Sequence, residues 1–151
     1  MPTVTCRTLG CKLNQAETAS LVRLFEEAGY EVVEEGGDVF LLNTCTVTHR
    51  SDAKCRQAIR HAQMQNPDAT VIVAGCYSQV AAAAIAGIPG VDYILGLEEK
   101  FDLFRHFTGP GKQPEPVIRV SSLTGRHPAR ALRGRFTDRT RAFLKIQDGC
   151  E

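Results

Sequence analysis

Six cysteines punctuate this 151-residue chain, and three of them share a setting. Cys11, Cys45 and Cys76 each follow an apolar, strand-like run: residues 4–9 lead to Gly10-Cys11, 39–42 to Asn43-Thr44-Cys45, and 70–74 to Gly75-Cys76. A helix-like stretch comes after each. In a parallel α/β sheet the strand C-termini share one edge, and ligands bind along it. Three thiols in those turns are therefore expected to converge, and soft thiolates gathered this way suit an iron–sulfur cluster or zinc. Three protein ligands would leave one position of the metal group open, the arrangement that separates a working site from a closed structural one. The competing reading is three buried core thiols, since free Cys is often buried. The turn positions, two of them directly after Gly, favour ligation. His49, four residues after Cys45, is the nearest imidazole and reads as a surface residue.

The other three cysteines differ. Cys6 lies inside the first strand-like run, and with Cys11 it makes the opening spacing of a plant-type ferredoxin, but Asn14 stands where that pattern needs its next cysteine. Cys55 falls on the apolar face of a helical pattern. Both read as small core residues. Cys150 belongs to a final Asp148-Gly149-Cys150 turn.

The elements that must position these residues follow from periodicity. Asn14 to Glu17 reads as an N-cap with an acidic residue three positions on. Leu21, Leu24, Phe25 and Ala28 then recur at helical spacing up to Gly29. Residues 30–33 form a short strand, and Gly36-Gly37-Asp38 turns into 39–42, apolar without alternation, as a strand buried on both faces is. Ser51 or Asp52 caps a second helix whose inner face is Cys55, Ala58, Ile59 and Ala62. Residues 70–74 are another buried strand, 79–86 an Ala-rich helix and 91–95 a strand. Residues 97–107 predict a helix with Phe101, Phe104 and Phe107 inward, and 117–120 an edge strand. The pattern is an α/β fold, a mostly parallel open sheet with helices on both faces. A Pro/Gly-rich loop and a basic linker follow, and 141–147 reads as one more strand.

Net charge is +1, unevenly spread. Residues 1–100 hold 8 Lys/Arg against 12 Asp/Glu, and residues 101–151 hold 10 against 5. That asymmetry points to an anionic partner on the C-terminal side. Arg126, Arg130, Arg133 and Arg135 are the candidate phosphate contacts, with a solvated linker as the alternative. Arg50, Lys54, Arg56, Arg60 and His61 read as a solvated helix face. No signal-peptide pattern and no membrane-length apolar run are present, so the expectation is a cytoplasmic protein with no membrane partner, where cysteine clusters are metal-binding or redox-active.

Three segments together are specific. Thr8-Leu9-Gly10-Cys11-Lys12-Leu13-Asn14-Gln15-Ala16-Glu17, Asn43-Thr44-Cys45-Thr46-Val47-Thr48 and Ala74-Gly75-Cys76-Tyr77-Ser78-Gln79 resemble the three cysteine signatures of the radical-SAM methylthiotransferases, over about residues 3–107. The stretch 139–150, ending Leu144-Lys145-Ile146-Gln147-Asp148-Gly149-Cys150, resembles the lead-in to that family's radical-SAM core. The first and last of these segments look most like the branch that modifies threonylcarbamoyladenosine beside the tRNA anticodon. The branches acting on isopentenyladenosine and on a ribosomal-protein aspartate are the alternatives within the family.

The resemblance implies two 4Fe–4S clusters in the full-length protein. One, on Cys11, Cys45 and Cys76, would carry sulfur. The other would begin at Cys150 and reduce S-adenosylmethionine to a radical that activates carbon 2 of the adenine ring. It also implies tRNA and S-adenosylmethionine as partners, with an electron donor and a sulfur source. On this reading residues 1–108 are the donor-cluster domain, 109–140 loop and basic linker, and 141–151 the truncated first strand of a radical-SAM barrel. The fragment alone is then expected to be inactive. The alternative function is an isolated α/β module holding zinc or a cluster for structure or electron transfer.

Overall fold

The computed structural model describes residues 1–10, 12–45 and 51–121. Cys11, His49, Arg50, the Arg126–Arg135 arginines, the strand expected at 141–147 and Cys150 lie outside the described residues.

Among the described residues six strands form one parallel sheet: β1 (Thr3–Thr8), β2 (Glu31–Val32), β3 (Val39–Thr44), β4 (Thr70–Gly75), β5 (Val91–Leu95) and β6 (Val117–Arg119), in the order β2-β1-β3-β4-β5-β6. Every pairing is parallel. The helices are α1 (Lys12–Glu27), α2 (Ser51–Gln65), α3 (Cys76–Ala86) and the short α4 (Leu103–His106), which a 3₁₀ turn at Glu99–Asp102 precedes. The α/β reading therefore holds, with β6 as the expected edge strand.

The alternation of strand side chains builds two cores. On one face Val4, Leu41, Ile72 and Leu95 pack against Leu21 and Phe25 of α1 and against Leu103 and Phe107. On the other, Phe40, Leu42, Val73 and Ile94 meet Cys55 and Ile59 of α2 and Ile85 of α3. β3 and β4 are buried along their whole length, which is why their sequences do not alternate. The connection from β2 to β3 is different. It contains no helix, and Gly37 N–H donates to Thr5 Oγ1 as the chain passes under the sheet.

Two local expectations change. Asn14 does not cap α1. The helix already begins at Lys12, and the Asn14 amide reaches across to the Thr44 carbonyl at 2.9 Å. The single helix expected over 97–107 is a 3₁₀ turn followed by four α-helical residues. The tight turn draws Glu99 and Lys100 inward, where both are buried. Phe107 is buried as expected, whereas Phe104 is 38% exposed and touches Phe25 edge-on at 5.2 Å.

Candidate metal centre at the C-terminal sheet edge

Register brings the turns together. Thr8 pairs with Asn43, and Thr44 pairs with Gly75. Cys45 thus leaves β3 beside the point where Cys76 leaves β4 to open α3. Leu9 N–H donates to the Asn43 carbonyl at 2.8 Å, which carries the ladder one residue past β1. Gly10 then lies directly against Cys45: a Cβ added to Gly10 would stand 2.4 Å from the Cys45 Cβ. Cys45 is buried and Cys76 half-buried. Cys11, the residue after Gly10, is outside the described residues.

A polar network fixes this edge. Asn43 Nδ2 donates to the Asn14 carbonyl at 3.0 Å and to Thr18 Oγ1 at 3.2 Å, while Thr8 Oγ1 donates to Thr18 Oγ1 at 2.7 Å. Thr44 Oγ1 donates to the Ala74 carbonyl at 2.8 Å. The start of α1 and the ends of β1, β3 and β4 are therefore one hydrogen-bonded unit. Asn43 Oδ1 is buried without a hydrogen-bond partner among the described residues, and so is Ser78 Oγ, two residues after Cys76. A buried polar atom left without a partner is costly and asks for an explanation.

The turn carrying Cys76 is held separately. Ala81 breaks α3 with a non-helical backbone, φ −133° and ψ 36°, so the first turn is set apart from the rest. Tyr77 Oη donates to Asp52 Oδ1 at 2.6 Å, and Arg56 Nε donates to Asp52 Oδ2 at 2.9 Å. The hydrogen bonds from Tyr77 and then Arg56 hold the Asp52 carboxyl below the usual range. Burial, followed by that same Asp52 contact, pushes the Tyr77 phenol up to about 12.

The donor chemistry suits a soft metal group, and the packing suits a close approach. Gly75 has φ +111°, and a Cβ there would stand 2.5 Å from the Thr44 carbonyl oxygen. Gly75→Ala is accordingly expected to cost about 2–4 kcal/mol, from left-handed backbone strain and overpacking together. Urea denaturation checks this, with Gly87→Ala as a near-neutral control, since the nearest atom to a Cβ there is 3.4 Å away. Cys6 and Cys55 are different in kind: burial pushes both thiols up to about 12, so they stay protonated and ligate poorly. Cys55 is fully buried and Cys6 half-buried against the core, in line with their reading as packing residues.

Two features at this edge escape sequence patterns. Lys100 and Glu17 form a buried ion pair, Nζ to Oε2 2.5 Å, with side chains 0% and 4% exposed. Glu17 shares the helical stripe of Leu21 and Phe25, and an acid on a buried stripe is the signal that betrays such a pair. Further along, Gln79 accepts from Leu97 N–H at 3.0 Å and donates to the Ser121 carbonyl at 2.7 Å, while Glu99 binds both the Ser121 N–H and its hydroxyl. These contacts tie α3 to the end of β6.

Residues 3–96 match the family described as Uncharacterized protein family UPF0004. The chain belongs to this family. It is 44% identical, over 99% of its length, to the threonylcarbamoyladenosine tRNA methylthiotransferase MtaB of Bacillus subtilis, and 33% identical, over 100% of its length, to the MtaB of Thermotoga maritima. The tRNA-2-methylthio-N(6)-dimethylallyladenosine synthase of Moorella thermoacetica is 33% identical over 95% of the chain. The chain spans 34% of the length of each of these three relatives. The resemblance found in the cysteine segments thus agrees with the relatives: the UPF0004 chain is like the amino-terminal part of methylthiotransferases. Among its described residues no helix is long and apolar enough to cross a membrane.

Proposed function

We propose that this chain is the sulfur-donor portion of a cytoplasmic methylthiotransferase that replaces the hydrogen on carbon 2 of N6-threonylcarbamoyladenosine, next to the tRNA anticodon, with a methylthio group. The observation that supports the reading is the pairing of Thr44 with Gly75, the residues directly before Cys45 and Cys76 at the C-terminal sheet edge, with Gly10 packed on Cys45. The higher identity to the Bacillus MtaB than to the dimethylallyladenosine enzyme favours the threonylcarbamoyladenosine branch.

On this reading Cys11, Cys45 and Cys76 hold a 4Fe–4S cluster, and Cys150 is the first ligand of a second cluster that works with S-adenosylmethionine. When bound, the donor cluster supplies sulfur-transfer chemistry at an iron the protein leaves open. The chain's own contribution is positional. Gly10 lets backbone approach Cys45 closely, Gly75 lets it approach Thr44, and the Asn14–Asn43–Thr44 network holds the strand ends in register. Burial of Cys45 keeps water from its sulfur. An electron donor and a sulfur source complete the system, and Arg126, Arg130, Arg133 and Arg135 contribute phosphate contacts to tRNA.

Two experiments test the proposal. Anaerobic reconstitution with iron and sulfide should give an oxygen-labile brown protein with about four irons per chain; a colourless zinc protein overturns the cluster assignment. Disrupting the gene should remove the methylthio group from threonylcarbamoyladenosine in tRNA nucleosides resolved by mass spectrometry. Loss from dimethylallyladenosine instead overturns the branch, and loss from neither overturns the function.

A further inference from the structure

The helix-free link between β2 and β3 places no crossover helix over one face of β1, where Gly37 packs on a buried Thr5. In a doubly wound sheet a crossover helix would lie there. Instead a groove of about 550 Å³ runs between β1 and the flank of α2. Thr5, Leu9 and Phe40 form its floor. One end lies at Gly36 and Gly37, under the sheet, and the other at Thr8 and Leu9, directly before Gly10. The groove therefore follows the chain from Thr5 to Leu9, about 16 Å of strand, and opens at the edge that carries Cys45 and Cys76.

Its rim is basic. Arg7 from β1 and Lys54, Arg60 and His61 from α2 line it, all exposed. Glu35 is the nearby acid, and it is already engaged by Arg7 at 3.3 Å and by His61 at 3.6 Å. Lys54 and Arg60 form no ion pair among the described residues. A partly apolar floor beside Lys54 and Arg60, the two rim cations outside these ion pairs, complements single-stranded nucleic acid, whose bases turn inward and whose phosphates meet the charges.

We infer that this groove binds a single-stranded segment of RNA, with its phosphates against Lys54 and Arg60, and leads it toward the cysteine edge. The choice of RNA rests on the tRNA reading above; the groove and its charge do not. Anisotropy of a labelled anticodon stem-loop, titrated with this chain between about 50 and 200 mM salt, tests it. Lys54→Glu with Arg60→Glu should weaken binding at least about tenfold and lower the salt slope by about two. Lys54→Gln with Arg60→Gln should fall between. Arg23→Glu, on α1 across the sheet, should bind as the parent does. Circular dichroism and iron retention should be unchanged in all three. Parental affinity and slope in both Lys54/Arg60 variants would overturn the inference and hand the groove to a polypeptide. No binding by the parent would overturn it as well. The nucleoside analysis decides the tRNA reading in either case.

Discussion

Replacing Cys45 or Cys76 with Ala should abolish iron retention after anaerobic reconstitution, while Cys6→Ala and Cys55→Ala should keep the parental iron content. A site with three thiolates has none to spare, because the remaining two cannot hold a cubane that is normally held by three or four. Cys6 and Cys55 have thiols pushed up to about 12 by burial, and both pack against the core. Cys55→Ala will cost some stability through a small core cavity, so iron must be compared in folded protein, at equal ellipticity. Iron retained by Cys45→Ala would remove that residue from the site. Iron lost from a folded Cys6→Ala would add a fourth ligand that its place in β1 does not suggest.

The second large effect is on folding. Lys100→Met should destabilise the domain by about 3–5 kcal/mol, the usual result of stripping one partner from a buried ion pair. Glu17 would be left in the apolar layer between α1 and the 3₁₀ turn without its cation. Against a typical domain stability of ~5–15 kcal/mol, this removes a large share. The urea midpoint should fall with little change in slope. Lys100→Met combined with Glu17→Leu should recover most of the loss, since an apolar pair avoids the desolvation that both charges incur. A single variant with parental stability would mean that the pair contributes nothing the core needs.

What was legible beforehand had a physical reason. β3 and β4 announced themselves because both faces are buried, so residues 39–42 and 71–74 run apolar without a polar break. The cysteine turns were legible because Gly10 and Gly75 mark places where backbone must pass closely. The buried face of α2 was visible in the spacing of Cys55, Ile59 and Ala62. Asn14 misled because Asn at the start of an apolar helical pattern usually caps, and the Thr44 carbonyl that it serves instead is 30 residues away. The Glu17–Lys100 pair, 83 residues apart in sequence, had no local signature beyond an acid on a buried stripe. Helical propensity over 97–107 lost to tertiary demands on Glu99 and Lys100. The groove was hidden for a related reason: Lys54 and Arg60 look like any solvated helix face until the groove along β1 is seen beside them.

The ends of the sheet carry a consequence for behaviour at high concentration. An open parallel sheet presents two rows of unpaired backbone groups, and such rows template association between chains. Among the described residues one outer strand, β2, is only two residues long and is followed by Glu34 and Glu35. At the other end β6 has three residues, with Pro116 before it and Arg119 within it. Proline cannot donate to an incoming strand, and like charges repel a second copy aligned in register. The apolar strands β3 and β4, which have the composition of aggregation-prone segments, sit in the middle of the order, each paired on both sides. Their exposure is confined to the time before β1 and β5 have docked, so any tendency to aggregate should appear during refolding and not in the folded protein.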